Sequence, residues 1–175
     1  MSRPPLRVVQ MATGNVGTEM VRRIVDHPDL ELVGLYCWSP DKVGRDAGEI
    51  AGIEPIGVTA TDSLDEVLAL APDVVDFNGV WPDIDLFCTL LDHGINVVTT
   101  SDWITGHHRD ANHPHPSGRR PSELIDEAAR RGGASFYGTG MNPGLAQILS
   151  VVATAGMGRV DHLTVLETVD VSCHR

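Results

Sequence analysis

At 175 residues the chain is long enough to bury one core of ordinary domain size. Its 24 acidic against 13 basic side chains give a formal net charge of -11, which argues against broad contact with nucleic acid or an anionic membrane, since both reward positive charge. Three cysteines in no metal-ligand spacing, an N-terminus with no apolar leader and no stretch of spanning length together point to a soluble, reduced, cytoplasmic protein.

The run L-R-V-V-Q-M, residues 6–11, predicts a buried strand between Pro5 and a turn at Thr13-Gly14. The period then changes. Val16, Met20 and Ile24 share one helical face, with Val21 and Val25 beside them, and Pro28 stops the helix. L-E-L-V-G-L-Y-C, residues 30–37, is a second strand, which completes a β-α-β unit. A short strand follows near 56–60, then a helix over 63–70 with Ser63 as its cap, and a strand V-V-D-F at 74–77. Residues 82–92 predict a helix opened by Pro82 and closed near Gly94, and I-N-V-V-T at 95–99 another strand. A helix opening at Pro121 or Ser122, a strand A-S-F-Y-G at 134–138 and a helix from about 144 to 155 complete the alternation. The pattern is that of an α/β, Rossmann-type doubly wound parallel sheet covered on both faces.

Two segments break the rhythm. Residues 105–120, T-G-H-H-R-D-A-N-H-P-H-P-S-G-R-R, hold little apolar material and predict a long loop after a strand end, where open α/β sheets place active-site loops. Residues 160–172, V-D-H-L-T-V-L-E-T-V-D-V-S, read as a strand that begins something new. The expected division is a dinucleotide-binding domain at 1–155 and, at 156–175, the opening strand of a truncated α+β domain for substrate binding or oligomerisation. A shared edge strand in an oligomer is the alternative.

The stretch A-T-G-N-V-G, Ala12 to Gly17, sits where a dinucleotide-binding turn belongs, after the first strand and at the start of a helix. Gly14 and Gly17 match the glycines that admit a pyrophosphate and let the helix approach the strand. Ala12 replaces the glycine of the tight turn, and can do so while its φ stays negative. Ala12, Thr13, Gly14, Asn15, Val16 and Gly17 are therefore candidate cofactor contacts. The carboxylate expected on the ribose of NAD at the end of the second strand is missing; the chain reads Y-C-W-S-P-D-K-V-G-R-D from Tyr36 to Asp46. Ser39 can bond a 2'-phosphate, Lys42 and Arg45 can neutralise it, and Trp38 can cover the adenine. That favours NADP, with NAD possible. Asp41 would oppose a phosphate unless turned away, and Ser39-Pro40 capping a helix with both cations in solvent is the alternative.

The chain resembles the dihydrodipicolinate reductase N-terminal-like proteins, in the branch of 2,4-diaminopentanoate dehydrogenase and the native amine dehydrogenases. The residues that carry the likeness are A-T-G-N-V-G at 12–17, G-R-D-A-G-E-I at 44–50, N-V-V-T-T at 96–100 and G-T-G-M-N-P-G-L at 138–145. The resemblance implies reduction of a C=N bond, or the reverse amine oxidation, with a nicotinamide cofactor. It places Gly14 to Gly17 at the pyrophosphate, Asn78 and Gly79 beside the nicotinamide, and Asn142 at a cleft between domains. It also implies a homodimer formed through the missing domain. H-P-H-P-S-G-R-R at 113–120 only echoes the reductase's dicarboxylate-binding segment, because it precedes the G-T-G-M-N-P-G strand instead of following it.

In imine chemistry a carboxylate near the nitrogen would stabilise the iminium cation and could take up a proton. Asp102, at the end of the strand that reads N-V-V-T-T, is the candidate, with a capping role at Thr105-Gly106 as the alternative. Among the loop histidines, His107 is the candidate for proton transfer or substrate contact, and their spacing does not suit a metal. Met141 and Trp103 can line an apolar pocket or belong to the core. The function expected is an NADP-dependent oxidoreductase acting on C=N or C-NH2 groups of a small amine, imine or ketone. The alternatives are a dihydrodipicolinate reductase-like or carbonyl reductase, and a non-catalytic dinucleotide-binding or redox-sensing module.

Overall fold

Every neighbouring pair of strands in the sheet runs parallel, as continuous apolar strands alternating with helices require. The structure, a computed structural model, describes residues 3–101, 106–140 and 144–166. In chain order the elements are β1 (Leu6–Met11), α1 (Asn15–Asp26), β2 (Leu30–Tyr36), α2 (Ala47–Ala51), β3 (Ala60–Thr61), α3 (Leu64–Ala69), β4 (Val74–Phe77), α4 (Ile84–Asp92), β5 (Asn96–Thr99), α5 (His107–Asn112), α6 (Pro121–Gly132), β6 (Phe136–Gly138) and α7 (Ala146–Thr154). The strand order is β3-β2-β1-β4-β5-β6. It reverses between β1 and β4, and that reversal opens a crevice at the carboxyl ends of the two strands.

The alternation along β1 divides the core. Val8 joins Val21, Ile24, Leu32 and Leu35 on the face covered by α1 and α2. Val9 and Met11 join Val75, Phe77, Phe87, Leu90 and Ile125 on the opposite face, under α4 and α6. Helix boundaries follow local chemistry. Ser63 accepts from the Glu66 amide at 3.3 Å, and Pro121 opens α6 at its first turn. His27, just before Pro28, caps α1.

The expectations for several elements need correction. The short strand near 56–60 lies at Ala60–Thr61, because Asp46 draws the preceding turn inward through the amides of Ile56 and Gly57. Helix α4 begins after Asp83, whose carboxylate accepts from the Leu86 amide, instead of at Pro82. The expected loop at 105–120 contains the short helix α5, tied to α6 where the Asp110 carboxylate accepts from the backbone amide and hydroxyl of Ser122. The strand expected at 160–172 is not formed over 160–166, and the rest of it, 167–172, lies outside the described residues.

Candidate functional site

The β1–α1 turn is held from three sides. The Ala12 amide donates to Tyr36 O at 3.1 Å, the Asn78 amide donates to Met11 O at 3.0 Å, and Gln10 Nε2 reaches Ala12 O at 3.3 Å. Under these tethers Ala12 adopts φ 84°, the left-handed region, and not the negative φ expected of it. The position has kept the conformation of a glycine without the glycine. Gly17 closes the turn from the helix side: a Cβ there would stand 2.1 Å from Ala12 O, so only glycine fits. A Cβ on Gly14 would meet nothing within 4 Å, so that glycine leaves space beside the helix start.

Helix α1 begins at Asn15 with no side-chain cap and no acidic residue in its first turn. Its leading amides are therefore left to solvent or to an anion, and the helix dipole favours the anion. Asn15 and Val16 are exposed at this end.

Ala12, Thr13 and Gly14 line one wall of a cleft of about 290 Å³, with Trp38, Ser39 and Lys42 on a second wall and Asn78, Gly79 and Val80 on a third. The three walls come from the carboxyl ends of β1, β2 and β4. The Trp38 ring stands edge-on to Tyr36 at 4.9 Å and to Phe77 at 5.8 Å, which fixes it while leaving 51% of the residue exposed. Lys42 leans inward: its Nζ donates to Thr13 O at 2.8 Å and to Thr13 Oγ1 at 3.1 Å. Arg45 is exposed and does not line the cleft.

Asn78 does not offer its side chain freely to the cleft. Its Oδ1 accepts from Gln10 Nε2 at 2.8 Å, and its Nδ2 donates to Thr100 Oγ1 at 3.2 Å and Asp76 Oδ1 at 3.4 Å. Both amide hydrogens are engaged, so the residue presents a fixed surface. Gly79 is kept small from within, since a Cβ would lie 2.5 Å from the Phe77 ring. The end of β5 is drawn to the same rim. Thr100 N donates to Phe77 O at 3.3 Å, and Ser101 Oγ to Gly79 O at 2.5 Å.

Asp76 and Gln10 escape a sequence reading focused on glycines and exposed polar residues. Both are buried one layer below the cleft, and the only sequence signal is a polar residue inside each of two apolar strands. Burial pushes the Asp76 carboxyl from the ordinary 3.8 up to about 6, against the opposing bond from Asn78.

The remaining candidates are scattered. His107 is exposed at the start of α5 and does not line the cleft. His115 turns to the other side of α4's start, its Nε2 3.1 Å from Asp85 Oδ1. Asp102, Trp103, Met141 and Asn142 lie outside the described residues. Among the described residues no group of three or more potential metal ligands converges, and no helix is long and apolar enough to cross a membrane.

Residues 8–111 match the family described as dihydrodipicolinate reductase, N-terminus. An amine dehydrogenase of Streptomyces virginiae is 32% identical, aligned over 97% of this chain and 47% of its own length. A 4-hydroxy-tetrahydrodipicolinate reductase of Synechococcus elongatus is 41% identical over 44% of this chain and 30% of its own length. The chain thus spans about half, or less, of these relatives. Among solved structures, an amine dehydrogenase from Mycobacterium smegmatis superposes with a TM-score of 0.67 at 26% identity, covering 77% of this chain and 39% of that one. GenD2 from gentamicin A biosynthesis, solved in complex with NAD, has the same fold, with a TM-score of 0.61 at 17% identity over 89% of this chain and 40% of its own.

Proposed function

The chain belongs to the dihydrodipicolinate reductase N-terminus family, and from that premise we propose that it is the nucleotide-binding part of an NADP-dependent oxidoreductase acting on C=N or C-NH2 groups. The observation that carries the reading is the cleft at the sheet's switch point, with the uncapped start of α1 on one wall and Ser39 and Lys42 on another. The residues fit a dinucleotide: Gly14 leaves space where a side chain would intrude, and the first turn of α1 has amides to give.

A nicotinamide dinucleotide supplies the hydride when bound. The chain's own residues bind and orient it. The backbone from Thr13 to Gly17 receives the pyrophosphate, Trp38 covers the adenine, and Ser39 and Lys42 meet a 2'-phosphate. Arg45, exposed nearby, adds its charge at longer range. Asn78 and Gly79 form the surface under the nicotinamide, and Asn142, outside the described residues, is assigned by the resemblance alone to the cleft between domains. Asp102 follows directly on Ser101 at the rim and holds the carboxylate that stabilises an iminium and takes up protons. His107, at the exposed start of α5, is the candidate for proton transfer.

The amine reading is preferred to the dipicolinate one because the amine dehydrogenase is 32% identical over 97% of the chain, whereas a reductase that aligns over a comparable 91% is 27% identical. A homodimer and a cytoplasmic location belong to the same reading, the latter supported by the free thiols of Cys37 and Cys88. The test is equilibrium binding of NADPH and NADH side by side. A preference for NADPH of about tenfold, equivalent to about 1.4 kcal/mol, supports phosphate recognition at Ser39 and Lys42. A preference for NADH removes the NADP assignment, and binding of neither leaves a degenerate nucleotide fold.

A further inference from the structure

Gln10 and Asp76 are register partners in the parallel pair β1–β4. Their side chains stand on the same face of the sheet, separated by about the strand spacing of ~4.8 Å. Gln10 is fully buried and Asp76 is 7% exposed. Gln10 Nε2 lies 2.9 Å from Met11 O and also reaches Ala12 O and Asn78 Oδ1, its two hydrogens shared among the three acceptors. Two of these acceptors are main-chain carbonyls and cannot turn over. They fix which way the amide points: nitrogen toward the turn, Oε1 away from it.

That orientation leaves Gln10 Oε1 buried with no hydrogen-bond partner, and Asp76 Oδ2 is buried with none either. Two buried acceptors on register partners, each without a bond, carry a desolvation penalty. One proton resolves both, because a protonated carboxyl is a donor.

We propose that Asp76 and Gln10 are positioning residues of the nucleotide cleft, with Asp76 holding a proton on Oδ2 that it donates to Gln10 Oε1. The role in the cleft rests on the dinucleotide reading; the shared proton does not. The pair fixes the Asn78 amide from both ends, through Gln10 Nε2 and Asp76 Oδ1, and Gln10 clamps the two carbonyls of the left-handed turn. The surface that meets the nicotinamide and the turn that meets the pyrophosphate are thus held by one buried pair. Around it, β1 contributes Gln10, β5 contributes Val98 as the register partner of Asp76, and α1 contributes Gly17, whose Cβ position lies 3.2 Å from Gln10 Nε2. Asn78 is the side chain that bonds the carboxyl, no charged group among the described residues acts on it, and its acidity is weakened chiefly by burial.

The experiment compares the chain with its Asp76→Asn and Asp76→Ala variants, without ligand and with NADPH and NADH. Asparagine carries a permanent donor where the protonated acid would carry one. Denaturant midpoints of the ligand-free chain and of D76N should coincide near pH 4 and diverge as pH rises to about 6, with the unsubstituted chain losing stability, then run parallel. At about pH 5, where the proton is held, binding of whichever dinucleotide the chain takes should weaken by about tenfold or more in D76A and be rescued to within about twofold in D76N. Parallel midpoints across the whole range would overturn the proton, and unimpaired binding by D76A would overturn the positioning role. If even the unsubstituted chain binds neither dinucleotide, the functional reading fails, while the midpoint comparison still decides the proton.

Discussion

The carbonyl oxygen of Ala12 lies 2.1 Å from the place a Cβ on Gly17 would take, whereas a Cβ on Gly14 would meet nothing within 4 Å. The two glycines of one turn therefore serve different ends, and substitution separates them. Gly17→Ala should destabilise the fold by roughly 1–3 kcal/mol, because neither backbone can yield. Gly14→Ala, at a φ of -76° that alanine accepts, should change stability by less than about 0.5 kcal/mol. It should nonetheless weaken dinucleotide binding. Chemical denaturation beside a binding titration of both variants checks the pair.

Ala12 carries the cost of the left-handed region, of order 1–2 kcal/mol for a residue with a Cβ. Ala12→Gly should relieve it and, after the extra chain entropy of glycine, gain about 1 kcal/mol, seen as a rise of roughly 2–4 °C in Tm. A fall in Tm would mean that the turn does not hold this φ in solution.

Lys42 bridges two walls of the cleft by gripping Thr13. On binding a 2'-phosphate the ammonium would exchange or share that grip for a charge-assisted bond. Lys42→Met should therefore reduce NADPH affinity by about tenfold and NADH affinity far less, and should flatten the salt dependence of NADPH binding. Equal losses for both cofactors would restrict Lys42 to tethering the turn.

The raised value of Asp76 fixes the sign of one pH effect. A carboxyl moved from 3.8 to about 6 by burial prefers its proton in the folded state. The stability it contributes is full below about pH 4 and is lost as pH rises through about 6, amounting to about 3 kcal/mol at the plateau. Asp92 acts in the opposite sense, because the Arg131 guanidinium beside it lowers its value and its contribution is lost on acidification. Acid and neutral unfolding curves of D76N and of the Asp92→Asn variant should separate the two.

Asp102 is the carboxylate proposed for the reacting nitrogen. Asp102→Asn should reduce turnover by about a hundredfold or more while leaving the dinucleotide dissociation constant unchanged. Steady-state rates with an amine or a ketone plus ammonia, set against direct binding, make the comparison. A parallel loss of binding would move Asp102 from the chemistry to the cofactor's seat.

The order of strands and helices was legible in the sequence, since a period near 3.6 from Val16 to Ile24 and unbroken apolar runs such as V-V-D-F are local signals. So was the position of the turn at residues 12–17, together with the half-polar wall from Trp38 to Lys42. Tertiary structure alone decided the rest. The φ of Ala12 is imposed by tethers from Tyr36 and Asn78, residues 24 and 66 positions further along. The inward grip of Lys42, which the sequence would equally allow in solvent, depends on β2 lying beside β1. Gln10 and Asp76 are unremarkable as single letters in apolar strands. They become a pair because the parallel register sets one against the other, where low dielectric and a shortage of donors give a lone proton its place.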